Sequence, residues 1–119
     1  MTPKLPDGLL TLAGELVLRK DEASLRTAAS RAYYAVFLLA RKVANVQSRG
    51  ADAHARTQQH FAASGYKDFA KRLGTLRKRR NSADYIDERP FSRHEAFVAL
   101  SDAHELRREM ETMPIARTG

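Results

Sequence analysis

The chain of 119 residues contains no cysteine, which excludes disulfides, thiolate zinc sites and cysteine nucleophiles. No apolar run approaches the roughly 20 residues needed to span a bilayer. The amino-terminal stretch carries Lys4 but neither an apolar segment nor a cleavage site, so it does not read as a signal peptide. The expected location is the cytoplasm, with no membrane partner. Strand signals are nearly absent, because no segment alternates apolar and polar residues with enrichment in Val, Ile or Thr. Gly-rich phosphate loops and a local Ser-His-Asp arrangement are also missing.

The apolar content, 43% of residues, suffices for one core. A single domain over 1–119 is expected, ordered over about 7–113, with disorder confined to Met1–Pro6 and Pro114–Gly119. The net charge is +7. It favours a polyanionic partner such as RNA or DNA, against the plainer alternative of a solvated basic surface.

Helical periodicity runs from end to end. A first helix is predicted from Asp7, as its cap, to Lys20, with Leu9, Leu12, Ala13, Leu16 and Val17 on one stripe. Asp21 reads as the N-cap of a long second helix reaching Gln47. Its stripe of Leu25, Ala29, Ala32, Val36, Leu39, Val43 and Val46 has the alternating spacing of near-parallel packing. A short helix follows over Ala53–Ala63, ending at Ser64-Gly65, and a fourth runs over Tyr66–Ala83. Ser92 and Glu95 fit a capping box at the head of the last helix, whose stripe is Ala96, Ala99, Ala103, Leu106, Met110 and Met113. The fold class predicted is all-α: an antiparallel four-helix up-and-down bundle with a short extra helix.

The fourth helix holds an anomaly. The stripe of Leu73 and Leu76 continues by the same count to Arg80 and Ala83, so an arginine stands where a leucine is expected. A guanidinium keeps its charge, and placing it on an apolar face is costly unless an anion meets it. Three arrangements satisfy it: snorkelling to water, an internal ion pair with Asp84 one turn on, or a bound phosphate. Arg77, Lys78 and Arg79 precede it and would add a field attractive to phosphate. Tyr85 lies about 140° around an ideal helix from Arg80, so the two are expected together only if the helix ends near Ala83 or across a dimer. His54, His60, His94 and His104 show no metal-ligand spacing and read as surface or packing residues. Tyr33 and Tyr34 are candidates for stacking a base, with core packing expected for at least one. Arg31, three residues before Tyr34, lies beside the candidate site or pairs with a carboxylate. No cofactor or metal is expected.

Two segments carry a family resemblance. The second helix reads Ala29-Ser30-Arg31-Ala32-Tyr33-Tyr34-Ala35-Val36-Phe37, and the fourth ends Leu76-Arg77-Lys78-Arg79-Arg80-Asn81-Ser82-Ala83-Asp84-Tyr85. Together they resemble the HEPN superfamily, specifically a small stand-alone branch with an S-R-A-Y-Y-A-x-F helix and a later R-x-x-A-D-Y motif. Ala53-His54 sits where that branch often has a small residue followed by His. The resemblance implies a helical homodimer with motif helices facing across a cleft. It implies an RNA-directed role in a toxin–antitoxin or defence-type system, as a metal-independent endoribonuclease centred on Arg80, Asn81, Asp84 and Tyr85. Arg77, Lys78, Arg79, Arg31, Tyr34 and His54 are the expected RNA contacts. The family motif continues to a His, and where it would fall this chain has Tyr85, Ile86 and Asp87. The resemblance therefore also implies an alternative: a catalytically silent dimer that partners a nucleotidyltransferase, which transfers AMP to Tyr85. A helical scaffold with no nucleic-acid role is the third reading.

Overall fold

The computed structural model describes residues 4–113 and, within them, five helices and no strand: α1 (Leu5–Leu16), α2 (Glu22–Ala44), α3 (Ala51–Ala63), α4 (Lys67–Tyr85) and α5 (Arg93–Thr112). α2 runs through the middle and touches each of the other four, while α3 packs on α2 and α4, and α5 closes against α1, α2 and α4. Alanines make this crowding possible: Ala28, Ala29, Ala32, Ala35 and Ala40 of α2 are all fully buried, and small side chains let neighbouring helices approach closely. One apolar cluster runs through all five helices. Among the described residues no helix is long and apolar enough to cross a membrane.

Helix ends depart from the periodicity in instructive ways. α1 starts at Leu5, with Lys4 as a cap that offers no side-chain bond. Leu5 and Pro6 are thus helical rather than disordered, because proline in the first turn loses no hydrogen bond. The rest of the segments expected to be disordered, Met1–Pro3 and Pro114–Gly119, lies outside the described residues. Asp7 is not the cap. It occupies the first turn and accepts from Arg107 Nε at 2.8 Å, tying α1 to α5. Arg19 and Lys20 fall beyond α1, since Asp21 must be extended (ψ 141°) for its carboxylate to accept from the Ser24 amide at 3.0 Å. The chain therefore leaves the helix before it.

α2 ends at Ala44 rather than Gln47, because Asn45 turns left-handed (φ 55°). Its amide donates to Lys42 O, and the Val46 amide donates to Arg41 O, both at 3.1 Å. This is a Schellman closure built on asparagine, which tolerates that conformation. The same closure ends α3 as expected at Gly65 (φ 92°), with the Tyr66 amide donating to Phe61 O at 2.8 Å. At 13 residues α3 is longer than α1 at 12, so it is an extra helix but not a notably short one. The capping box of α5 is present, with the Ser92 hydroxyl accepting from the Glu95 amide and the Glu95 carboxylate accepting from the Ser92 amide.

Candidate functional site

Arg80 lies on the buried side of α4 between Leu76 and Ala83, both in the core. Its Nε sits 3.0 Å from Asp84 Oδ2, yet that N–H is not aligned as a hydrogen bond. The contact is therefore Coulombic. Nη1 donates to Asn81 Oδ1 at 3.2 Å, and Asp84 in turn accepts from the Ser30 hydroxyl of α2 at 3.1 Å. The guanidinium carbon is 5.8 Å from the Tyr33 ring centre and 5.9 Å from that of Tyr85, within cation–π range. The ion pair with Asp84 thus forms, but at the rim of the core: the two side chains remain 23% and 24% exposed. Tyr85 reaches Arg80 although α4 continues through it, because the long arginine side chain crosses the angle that separates their backbones.

Beneath Arg80, Tyr33 and Tyr34 divide as their positions on α2 dictate. Tyr33 is 1% exposed and Tyr34 is 39% exposed. The Tyr33 hydroxyl shares a hydrogen bond of 2.5 Å with His54 Nδ1 from α3. The His54 ring stacks on Phe37 at 4.0 Å between centres. Burial raises the Tyr33 pKa well above its ordinary value, against the pull of Arg77 and Arg80, and the phenol stays protonated. Burial, reinforced by the same two arginines, lowers the His54 pKa to about 4. The imidazole is accordingly neutral at pH 7.

The basic run is split by the helix. Arg77 lies one turn before Arg80 on the same side, close enough to act electrostatically on both Tyr33 and His54. Its Nε is buried without a hydrogen-bond partner, and no ion pair holds it among the described residues. Lys78 and Arg79 face elsewhere. They line a shallow groove with Thr75, Ser82, Arg89, Phe91 and Glu95, and Arg79 Nε lies 3.9 Å from Asp102 of α5. Arg31 is exposed on α2, as is Tyr34 one turn beyond Ser30. Of the ten residues predicted from the sequence, Asn81, Asp84 and Tyr85 meet Arg80, Arg80 and His54 meet Tyr33 with Arg77 acting on both, and Arg31 and Tyr34 stay on the exposed side of α2. Lys78 and Arg79 do not join the group around Arg80.

Arg26 escapes a reading by stripes and motifs. From α2 it donates through Nη1 to the carbonyls of Ser82 (3.2 Å), Ala83 (2.9 Å) and Ile86 (2.9 Å), and through Nη2 to that of Arg89 (2.5 Å). Its Nε donates to Glu22 at 3.0 Å. Glu22 accepts from the Phe91 amide at 3.3 Å, and the Phe91 ring lies 5.5 Å from the Arg26 guanidinium. The last carbonyls of a helix lack internal partners, and α4 has no glycine or asparagine after Tyr85 to turn the chain back. The sequence signal is that missing C-terminal residue.

No group of three or more His, Cys, Asp or Glu side chains among the described residues could hold a metal ion. A groove of about 570 Å³ lies at another end of the molecule, where Lys4, Leu5 and Pro6 meet Leu38, Lys42 and Val46, and none of the predicted site residues lines it. Compared with known proteins, the chain matches no family model, no curated protein and no solved structure.

Proposed function

We propose that this chain is a HEPN-like, RNA-directed protein of a toxin–antitoxin or defence-type system, working in the cytoplasm as a metal-independent endoribonuclease centred on Arg80. In this reading α1, α2, α4 and α5 form the antiparallel bundle and α3 is the extra helix. The observation that carries it is the setting of Arg80: a permanent charge fixed at the core's rim by Asp84, Asn81 and two aromatic rings. Such an arginine is preorganised toward a phosphate whose negative charge grows as the RNA 2′-oxygen attacks phosphorus. In that step the 2′-oxygen–phosphorus bond forms and the phosphorus–5′-oxygen bond breaks, the 2′-hydroxyl proton passing to solvent water and the departing 5′-oxygen taking a proton from water. Asn81 and Asp84 are positioning residues for the guanidinium.

The test is Arg80→Ala. RNA cleavage or growth arrest should be abolished, while urea unfolding stays within about 2 kcal/mol of the parent, because Asp84 keeps the Ser30 hydroxyl and access to water. RNA affinity of the parent should fall steeply with salt as counterions are released. Full activity in Arg80→Ala, or salt-independent binding, rejects the reading.

One observation favours the silent-module alternative. Tyr85 is 71% exposed, so its hydroxyl is open to a nucleotidyltransferase. The phenolic oxygen would take the adenylyl group of ATP, pyrophosphate would leave, and the phenol proton would go to solvent. Tyr85→Phe should then abolish labelling and leave stability unchanged. Either reading uses a homodimer. Tyr34 and Tyr85 flank the Ser30–Asp84 hydrogen bond, and Ile86 is also exposed beside Tyr85. A second copy covering these apolar groups would set two Arg80 residues across one cleft. Light scattering at micromolar concentration should give the mass of two chains.

A further inference from the structure

The geometry points to a phosphoryl-anion site formed by Arg77, Arg80 and the outward Nε2–H of His54, in which the histidine serves as a neutral hydrogen-bond donor rather than as a base. This deepens the RNA-directed reading, and rests on it only for the identity of the natural ligand as a phosphodiester.

The argument begins at the Tyr33 hydroxyl. It is buried, and its one hydrogen-bond partner among the described residues is His54 Nδ1. A phenol has one proton to donate. If Nδ1 carried hydrogen, two donors would face each other and the phenol proton would be buried without an acceptor, a costly arrangement. The hydroxyl therefore donates to Nδ1. The neutral ring must then hold its proton on Nε2. The arginines agree with this polarity, since Arg77 and Arg80 act on the phenol oxygen and favour its lone pairs facing them. The one hydrogen bond of the His54 side chain among the described residues is that of Nδ1, and the ring is only partly buried, so Nε2 is free to meet a ligand.

Arg77 supplies the second observation. It shares a face with Arg80 by helical spacing, and both act electrostatically on His54. Two guanidinium groups at the same aromatic pair leave excess positive charge, because among the described residues only Asp84 answers it, and it answers Arg80. A phosphoryl oxygen set is the ligand that matches several N–H donors with net positive charge. A carboxylate-rich protein segment would match the charge but not the compact, many-oxygen shape.

The test uses the full chain with ¹⁵N-labelled histidine at pH 7. His54 should show the Nε2-protonated tautomer, and Tyr33→Phe should release that bias while keeping the ring. An Nδ1-protonated His54 in the parent overturns the assignment. Inorganic phosphate should then shift the His54 signals saturably, and Arg77→Gln should weaken that binding about tenfold. No shift, or an unchanged affinity in Arg77→Gln, overturns the site. A short single-stranded oligoribonucleotide should shift the same signals. If phosphate moves them and the oligoribonucleotide does not, the anion site stands and the RNA-directed reading falls.

Discussion

Arg26→Ala should be the most damaging single substitution outside the apolar core, costing about 2–4 kcal/mol of unfolding free energy. Removing the side chain takes away donors to four carbonyls at once, those of Ser82, Ala83, Ile86 and Arg89. Two of these belong to the last turn of α4, where the helix dipole places partial negative charge. The substitution also frees Glu22 and withdraws the cation from the Phe91 ring. Some of the loss is returned by water, because the Ile86 and Arg89 bonds are at the exposed end of the clamp. That is why the expected cost stops short of that for a fully buried pair. Arg26→Lys should recover less than half, since a compact ammonium cannot fork to the same set of oxygens. Urea unfolding gives the energy. Hydrogen exchange should show the last turn of α4 opening first, and in the proposed RNA-directed reading RNA binding should weaken with it, because Asp84 and Tyr85 ride on that turn. A variant within about 0.5 kcal/mol of the parent, the range of ordinary surface changes, would show that the clamp holds nothing.

Arg26 also marks where sequence reading stops. The all-helical class, the Asp21 cap, the Gly65 closure and the Ser92–Glu95 box were legible because each depends on residues near one another in the chain. The placing of Arg80 on an otherwise apolar stripe was legible for the same reason. Contacts between distant segments were not. Glu22 and Arg26 look like an ordinary surface pair one helical turn apart, and nothing local says that the guanidinium reaches residues more than fifty positions onward. The run Arg77–Arg80 misleads in the opposite direction. Adjacent in sequence, its members are thrown to different sides by the helical turn, so that Arg79 lies near Asp102 while Arg77 and Arg80 share the side whose charge acts on His54. Asp7 looked like a cap because it follows Pro6, yet the chain uses proline inside the first turn and spends the carboxylate on Arg107.

The second large effect is on pH. Acidification from pH 7 to pH 4 should destabilise the fold by about 1–2 kcal/mol through His54 alone. In the folded chain His54 has its pKa lowered from 6.5 to about 4, with burial as the main cause and Arg77 and Arg80 adding to it. In the unfolded chain it titrates near its ordinary value. Below that value the unfolded state binds a proton that the folded state refuses, so stability falls with pH. The contribution is fully present above about 6.5, declines through the interval down to about 4, and is constant below. A shift of this size corresponds to about 3 kcal/mol as a ceiling, and water at the half-buried ring brings it lower. Asp21 and Glu22 have their pKa values lowered, chiefly by hydrogen bonds from Ser24 and Arg26, so their contributions begin to be lost as pH falls through the usual carboxylate range, at the lower end of this window, and that loss is common to the parent and a His54 variant. His54→Gln supplies the control, because the amide oxygen can still accept from the Tyr33 hydroxyl but does not titrate. Urea unfolding across pH 7 to pH 4 should slope downward in the parent and run flatter in His54→Gln. Equal slopes in the two proteins would mean that His54 takes its proton as readily folded as unfolded, and that the ring is not held neutral beneath Arg80.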